Sequence, residues 1–104
     1  MTQPLAGRHA LVTGGGRGIG ASIARTLAEA GARVTLLGRT AAELEATAAA
    51  LPGRALAVTA DVTDAGQVER AFARARKEAG EVAILVNNAG LAKSRAIAKS
   101  DEAF

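Results

Sequence analysis

The chain has no cysteine, no tryptophan and no tyrosine, and only two phenylalanines, two prolines and one histidine in 104 residues. Without cysteine there is neither a disulfide nor a thiolate metal site, and no metal site is expected. Aromatic residues are 2% of the chain while 49% is hydrophobic, so the core has to be built from Val, Leu, Ile and Ala. The same scarcity removes the stacking faces that a single-stranded nucleic-acid surface needs. No apolar run approaches the ~18 residues of a bilayer-spanning helix. The opening MTQPLAGRHA has no basic segment followed by an apolar stretch, so no secretion signal is read there and a cytoplasmic protein is expected. Charge is not massed either. The formal net charge is +3, and the densest basic stretch, RAFARARK from Arg70 to Lys77, reads as a solvated helix face with Arg70 and Arg74 four residues apart. Neither a nucleic-acid nor a membrane partner is expected.

What the chain does have is alternation. Short aliphatic runs at 9–13 (HALVT), 33–37 (RVTLL), 55–59 (ALAVT) and 83–87 (AILVN) are almost continuously apolar, as parallel strands covered on both faces must be. Helical stretches lie between them. From Gly18 to Ala30, Ile19, Ile23 and Leu27 recur every four residues and predict one buried stripe, with Gly31 as the stop. The second helix opens on Thr40 and Glu43, spaced as a capping box, and runs to about Leu51 before Pro52-Gly53. The third has Asp64 as its cap, Gln67 three residues on, and Gly80 at its end. This order predicts right-handed β-α-β units and a parallel sheet, in one domain over residues 1–104. The tail LAKSRAIAKSDEAF reads as a loop in which Ser100 caps a helix that is not completed. His9, at the start of the first strand, reads as structural.

Five glycines stand in the eight residues TGGGRGIG, Thr13 to Gly20, where the first strand hands over to the first helix. Glycine loses more backbone freedom on folding than any other residue, so this density needs a reason. A glycine-rich turn exposes backbone N–H groups at the positive end of a helix and lets a phosphate approach them. A tight turn without a ligand is the alternative reading of the glycines alone, and the looser G-x-G-x-x-A pattern also fits at Gly16, Gly18 and Ala21. The strand before and the helix after supply the context of a dinucleotide-binding unit.

Thr13-Gly14-x-x-x-Gly18-x-Gly20, Asp61-Val62 after the third strand and Asn87-Asn88-Ala89-Gly90 after the fourth resemble three successive motifs of the classical short-chain dehydrogenases/reductases. The resemblance runs from Leu5 to Phe104. It implies a Rossmann-type doubly wound α/β sheet of which this chain supplies the strand order 3-2-1-4, incomplete. It also implies hydride transfer between a nicotinamide cofactor and a carbonyl or alcohol of a small-molecule substrate. By the same resemblance Gly14, Gly16, Arg17, Gly18, Ile19 and Gly20 would line the pyrophosphate and adjoining ribose. Asp61 would bond the adenine amino group with Val62 beside the ring, and Asn87, Asn88, Ala89 and Gly90 would lie along the cofactor and fix the fourth strand. Ala83 departs from the pattern, since many relatives have Asp there. The family's proton-transfer tyrosine, with a lysine four residues later, has no counterpart, because the chain has no tyrosine and Lys93 and Lys99 stand too early. No catalytic residue is therefore assigned. The chain is expected to be the cofactor-binding portion of a larger, homo-oligomeric oxidoreductase and inactive alone. A stand-alone dinucleotide-binding or regulatory module is the alternative; a methyltransferase is disfavoured by Arg39 and the NNAG motif.

The end of the second strand bears on the cofactor. An acidic residue there would bind the ribose 2′-hydroxyl and favour NAD. The chain has Gly38 and then Arg39, which leave room for a 2′-phosphate and supply a guanidinium that can pair with it twice, so NADP is expected rather than NAD. With the strand order 3-2-1-4, AILVN becomes an apolar edge, and such edges recruit other chains. The 104-residue chain alone is thus predicted to be marginally stable or self-associating. Sedimentation velocity and thermal melts check this, and monodisperse monomers with a sharp transition would contradict it.

Overall fold

In the computed structural model, which describes residues 3–16 and 18–88, the elements run β1 (His9–Thr13), α1 (Gly18–Glu29), β2 (Arg33–Gly38), α2 (Ala41–Ala50), β3 (Ala55–Thr59), α3 (Ala65–Ala79) and β4 (Val82–Asn87). The strands form one sheet in the order β3-β2-β1-β4, with every pairing parallel. The expected order and the α/β class are what the chain adopts. All five residues of β1 are buried, which a central parallel strand requires because helices cover both faces.

Successive strand residues point to opposite faces, and the core divides accordingly. Leu11 and Leu37 join Val58, Ala60, Val62, Val68, Ala71, Phe72 and Ala75 on the α3 side. Ala10, Val12, Val34 and Leu36 join Ala24, Ala28, Leu44 and Leu51 on the side of α1 and α2. Phe72 is the bulkiest fully buried side chain; burying a residue of this kind stabilises by roughly 1.5–3 kcal/mol. On α3 the stretch from Arg70 to Lys77 splits as its spacing suggests. Ala71, Phe72 and Ala75 face the sheet, while Arg70 is exposed and Arg74 pairs with Glu78 at 2.9 Å in solvent.

Two local expectations are corrected. The buried face of α1 is Gly20, Ala24 and Ala28, not Ile19, Ile23 and Leu27. Ile23 and Leu27 are half-buried and Ile19 is 72% exposed. Shifting by one residue turns the helix by about 100°, and small residues on the inner face let it lie closer to the sheet. On α2, Thr40 has the extended backbone of an N-cap but its side chain makes no cap hydrogen bond. The expected Thr40–Glu43 box does not form, and Glu43 packs against Gly16 instead. The third helix does follow its signals. The Asp64 carboxylate accepts from the Gln67 N–H at 3.2 Å, and Gly80 closes the helix at φ 89°. Among the described residues β4 pairs on one side only, with β1, and no helix there is long and apolar enough to cross a membrane. The tail from residue 91 onward, with Lys93, Lys99 and Ser100, lies outside the described residues.

His9 is buried at the opposite end of the sheet from the glycine turn. Its Nδ1 lies 2.8 Å from the Gly80 carbonyl and its Nε2 lies 2.7 Å from the Thr35 hydroxyl. A carbonyl can only accept, so Nδ1 carries the hydrogen and Nε2 accepts from Thr35. The neutral ring thereby ties the end of α3 to β1 and β2. Burial lowers its pKa from the ordinary 6.5, with Arg33 pushing the same way and the Gly80 bond partly opposing. The unfolded chain therefore takes up this proton first as pH falls, so the stability contributed by neutral His9 is full above about pH 6.5 and is lost progressively below it. The melting temperature should drop as pH is lowered from about 7.5 to about 5.5, and His9→Gln should flatten that segment of the profile. An identical profile for the two proteins would show that His9 is not the group responsible.

Candidate functional site

The residues singled out by motif converge at the carboxyl edge of the sheet. Thr13, the last residue of β1, is level with Leu37 of β2 and Asn87 of β4, and Gly38 is level with Thr59 of β3. The chain winds from β1 out through β2 to β3 and then crosses back to β4 on the other side of β1. In open α/β sheets a crevice forms outside the strand ends at such a reversal. The glycine turn leaves β1 at that point.

The glycines of the turn divide into two groups. Gly14, Gly15, Gly16 and Gly20 are set by internal packing, Gly14 at φ +67° with Asn88 Nδ2 3.2 Å from where its Cβ would be, and Gly16 with the Glu43 Cβ at 3.0 Å. The Gly14 N–H donates to the Leu37 carbonyl at 2.7 Å. A Cβ on Gly15 would lie 2.7 Å from the Leu36 side chain, and one on Gly20 would overlap the carbonyl oxygen of Gly14 and lie 2.7 Å from Asn88 Nδ2. Gly18 differs. Its φ is +63°, and nothing lies within 4 Å of where its Cβ would be. Its backbone faces open space at the start of α1, and the first turn of that helix carries no acidic residue. Beside it stands Ile19, an exposed large aliphatic side chain. This is a surface that an anionic group can approach closely, with an apolar shoulder next to it. Arg17, Ala89 and Gly90 lie outside the described residues.

A network behind the turn fixes its position. Thr13 is fully buried. Its hydroxyl accepts from the Asn88 N–H at 2.9 Å and lies 3.2 Å from the Asn87 side-chain oxygen, to which it donates. Asn88 in turn reaches the Gly14 carbonyl through Nδ2 at 3.4 Å. From the other side, the Thr47 hydroxyl on α2 donates to the Gly16 carbonyl at 2.7 Å. On the next strand end, Asp61 Oδ1 accepts from both the N–H and the hydroxyl of Thr63, while its own N–H donates to Gln67 Oε1 at 2.9 Å. Val62 turns its side chain into the core beneath α3, so a contact from it to a ligand would come from its backbone. Gly38 is half-buried and Arg39 is exposed, and Arg39 is in no ion pair with another described residue.

Sequence reasoning missed Thr13 as anything more than the first letter of a motif, and it missed Gln67 and Thr47 as supports of the site. Thr47 carried a usable signal: it is the one β-branched residue in AAELEATAAA, and threonine forms helix less well than the residues around it.

The family model for short chain dehydrogenases matches residues 8–103. The chain belongs to the short-chain dehydrogenase family. It is 46% identical over 92 residues to the oxidoreductase UcpA of Escherichia coli, covering 86% of this chain and 35% of that one. It is also 46% identical over 92 residues to L-xylulose reductase of Bos taurus, covering 88% and 36%. A solved dehydrogenase/reductase from Sinorhizobium meliloti superposes with a TM-score of 0.81 at 44% identity, over 86% of this chain and 37% of that structure. A hydroxysteroid dehydrogenase from Escherichia coli superposes equally well, at 36% identity, covering 86% and 39%. The chain thus spans little more than a third of the length of these family members.

Among the described residues there is no cluster of His, Asp or Glu that could hold a metal ion. The division among the glycines can be tested without any ligand. Gly18→Ala should fold, at a cost of roughly 1–2 kcal/mol for placing an L side chain in the left-handed region. Gly20→Ala should be far more damaging, because the obstruction is backbone rather than a flexible side chain. Urea denaturation of the two variants measures the difference, and equal destabilisation would contradict the split.

Proposed function

We propose that residues 1–104 form a single dinucleotide-binding unit of an NADP(H)-dependent oxidoreductase that exchanges hydride between the nicotinamide and a carbonyl or alcohol substrate. The observation that carries this reading is the open backbone at Gly18, set at the start of α1 and at the reversal point of the sheet. Gly14, Gly16, Arg17, Gly18, Ile19 and Gly20 would hold the pyrophosphate and its ribose, with Gly14 and Gly20 acting by bringing the turn and helix together. Asp61 would bond the adenine amino group, and its held position between Thr63 and Gln67 suits a group that must present an acceptor in a fixed direction. Val62 would border the adenine through its backbone. Asn87, Asn88, Ala89 and Gly90 would run along the cofactor toward the nicotinamide. The bound cofactor would supply the hydride; the residues of this chain would bind and orient it. The proton-transfer step of the family needs a tyrosine, and this chain contains none, so catalysis is assigned to no residue here. A small-molecule substrate, assembly as a homo-oligomer and a cytoplasmic location belong to the same proposal.

The choice of NADP over NAD rests on Gly38 and Arg39. No carboxylate stands at the end of β2, and the Arg39 guanidinium is exposed and in no ion pair with a described residue. A cation beside a helix start is slightly unfavourable in itself, and a bound 2′-phosphate would reverse that. Hydrogen bonds to charged groups contribute ~1.5–3 kcal/mol, or about ten- to a hundredfold in affinity. Arg39→Asp should therefore move preference from NADPH toward NADH by about that factor, as measured by calorimetric titration of each cofactor. An unchanged ratio of the two affinities would remove Arg39 from the site.

A further inference from the structure

We infer that Thr47, a residue that touches neither expected end of the cofactor, is a positioning residue that sets the selectivity of this site by holding the Gly16 end of the glycine turn against α2. The inference rests on the reading of Arg39 as the group that selects the 2′-phosphate. Three observations lead to it. A threonine inside a helix ordinarily returns its hydroxyl to the carbonyl four residues back, and Thr26 on α1 does this, bonding Ser22 at 3.2 Å. Thr47 does not. Its hydroxyl leaves α2 and donates to the Gly16 carbonyl at 2.7 Å, across 31 residues of sequence. The second observation is the contact next to it. The Cβ of Glu43, one turn earlier on the same helix, lies 3.0 Å from where a Cβ on Gly16 would stand, so the turn is seated closely on that face of α2.

The third observation is the asymmetry of the turn. Its Gly14 and Gly20 end is held by Asn88 at the tip of β4, while its Gly16 end is held by α2. That helix begins two residues after Arg39. One rigid helix therefore fixes both Arg39, at its start, and Gly16, beside its first two turns. The distance between the backbone of Arg39 and the glycine turn is thereby set by α2, and Thr47 is the hydrogen bond that ties the turn to that helix. Loosening the Gly16 end should penalise a ligand that must reach the turn and Arg39 together more than one that needs the turn alone.

The test compares Thr47→Val, which keeps the shape and removes the donor, with Thr47→Ser, which keeps the donor. Thr47→Ala serves as a second removal that favours the helix, so that a loss shared by Val and Ala is not a loss of helix stability. Amide hydrogen exchange at Gly14, the turn residue whose N–H bonds a backbone carbonyl, is followed without cofactor, and NADPH and NADH affinities are measured by titration. Val and Ala are expected to speed exchange in the turn and to weaken NADPH by about two- to tenfold, the range a single neutral hydrogen bond commands. NADH should weaken less, and Ser should restore both exchange and selectivity. Unchanged exchange, or equal losses for the two cofactors, would overturn the inference. Equal affinity of the unsubstituted chain for NADPH and NADH would instead overturn the reading of Arg39, and the selectivity assigned to Thr47 with it.

Discussion

The close approach of Gly20 to the backbone of Gly14 is the constraint on which the rest of the structure depends. A methyl group at residue 20 would occupy the space of the Gly14 carbonyl oxygen, so the first helix can start where it does only because that position has no side chain. With the contact in place, the inner face of α1 continues through Ala24 and Ala28, and the helix settles close to β1 and β2. The larger Ile23 and Leu27 are displaced to the flanks, and Ile19 to the surface beside the turn. A helix seated on bulkier residues would lift away from the sheet and carry the open backbone at Gly18 with it.

That seating is reinforced from the strand ends. Thr13 is buried, yet its hydroxyl is satisfied on both sides, accepting from Asn88 and donating to Asn87. A buried hydroxyl without partners would be destabilising, whereas one bonded to two segments specifies their register. The ends of β1 and β4 are joined at the place where the winding direction reverses, and Asn88 extends the join to the Gly14 carbonyl. The far end of the sheet is tied by a different device, the neutral His9 between Gly80 and Thr35. Polar bonds thus hold both rims of a sheet whose middle is held by aliphatic packing. The carboxyl rim presents the open backbone of Gly18 at the start of a helix.

Much of this was legible from residue order. The four strands are continuous apolar runs; β1 and β2 are buried as that predicts, while β3 and β4, the outer strands, are only partly covered. The cap of α3 at Asp64 and its stop at Gly80 are local, and local signals survive folding. The failures have a common physical origin. The stripe on α1 was read from hydrophobicity, which ranks Ile and Leu above Gly and Ala, but the packing face was decided by how close the helix must come to Gly14. The capping box on α2 was read from spacing, and spacing does not include the glycine turn, which comes from another part of the chain and engages Glu43 and Thr47. Both errors are tertiary contacts overriding a local preference, and both involve the glycine turn. Val62 is placed beside a ligand by the Asp61-Val62 motif, and its side chain lies in the core under α3, which leaves its backbone to make any such contact.

The same geometry explains why the candidate site can be read in so short a segment. A β-α-β unit brings residues some twenty positions apart to one sheet edge by pairing strands that are neighbours in sequence, and the entropic cost of closing such loops grows only slowly with their length. The glycine turn, the Gly38-Arg39 turn and Asp61 follow three successive strands, so their relative placement needs no element beyond α3. Asn87 and Asn88 are different, because β4 reaches β1 only after the chain has crossed the whole unit. Thr13 supplies the bonds that reward this long-range closure. The glycine turn is therefore pinned on one side by α2, 31 residues away in sequence, and on the other by the end of β4, 74 residues away, so the surface is complete only when the β1–β4 join is made.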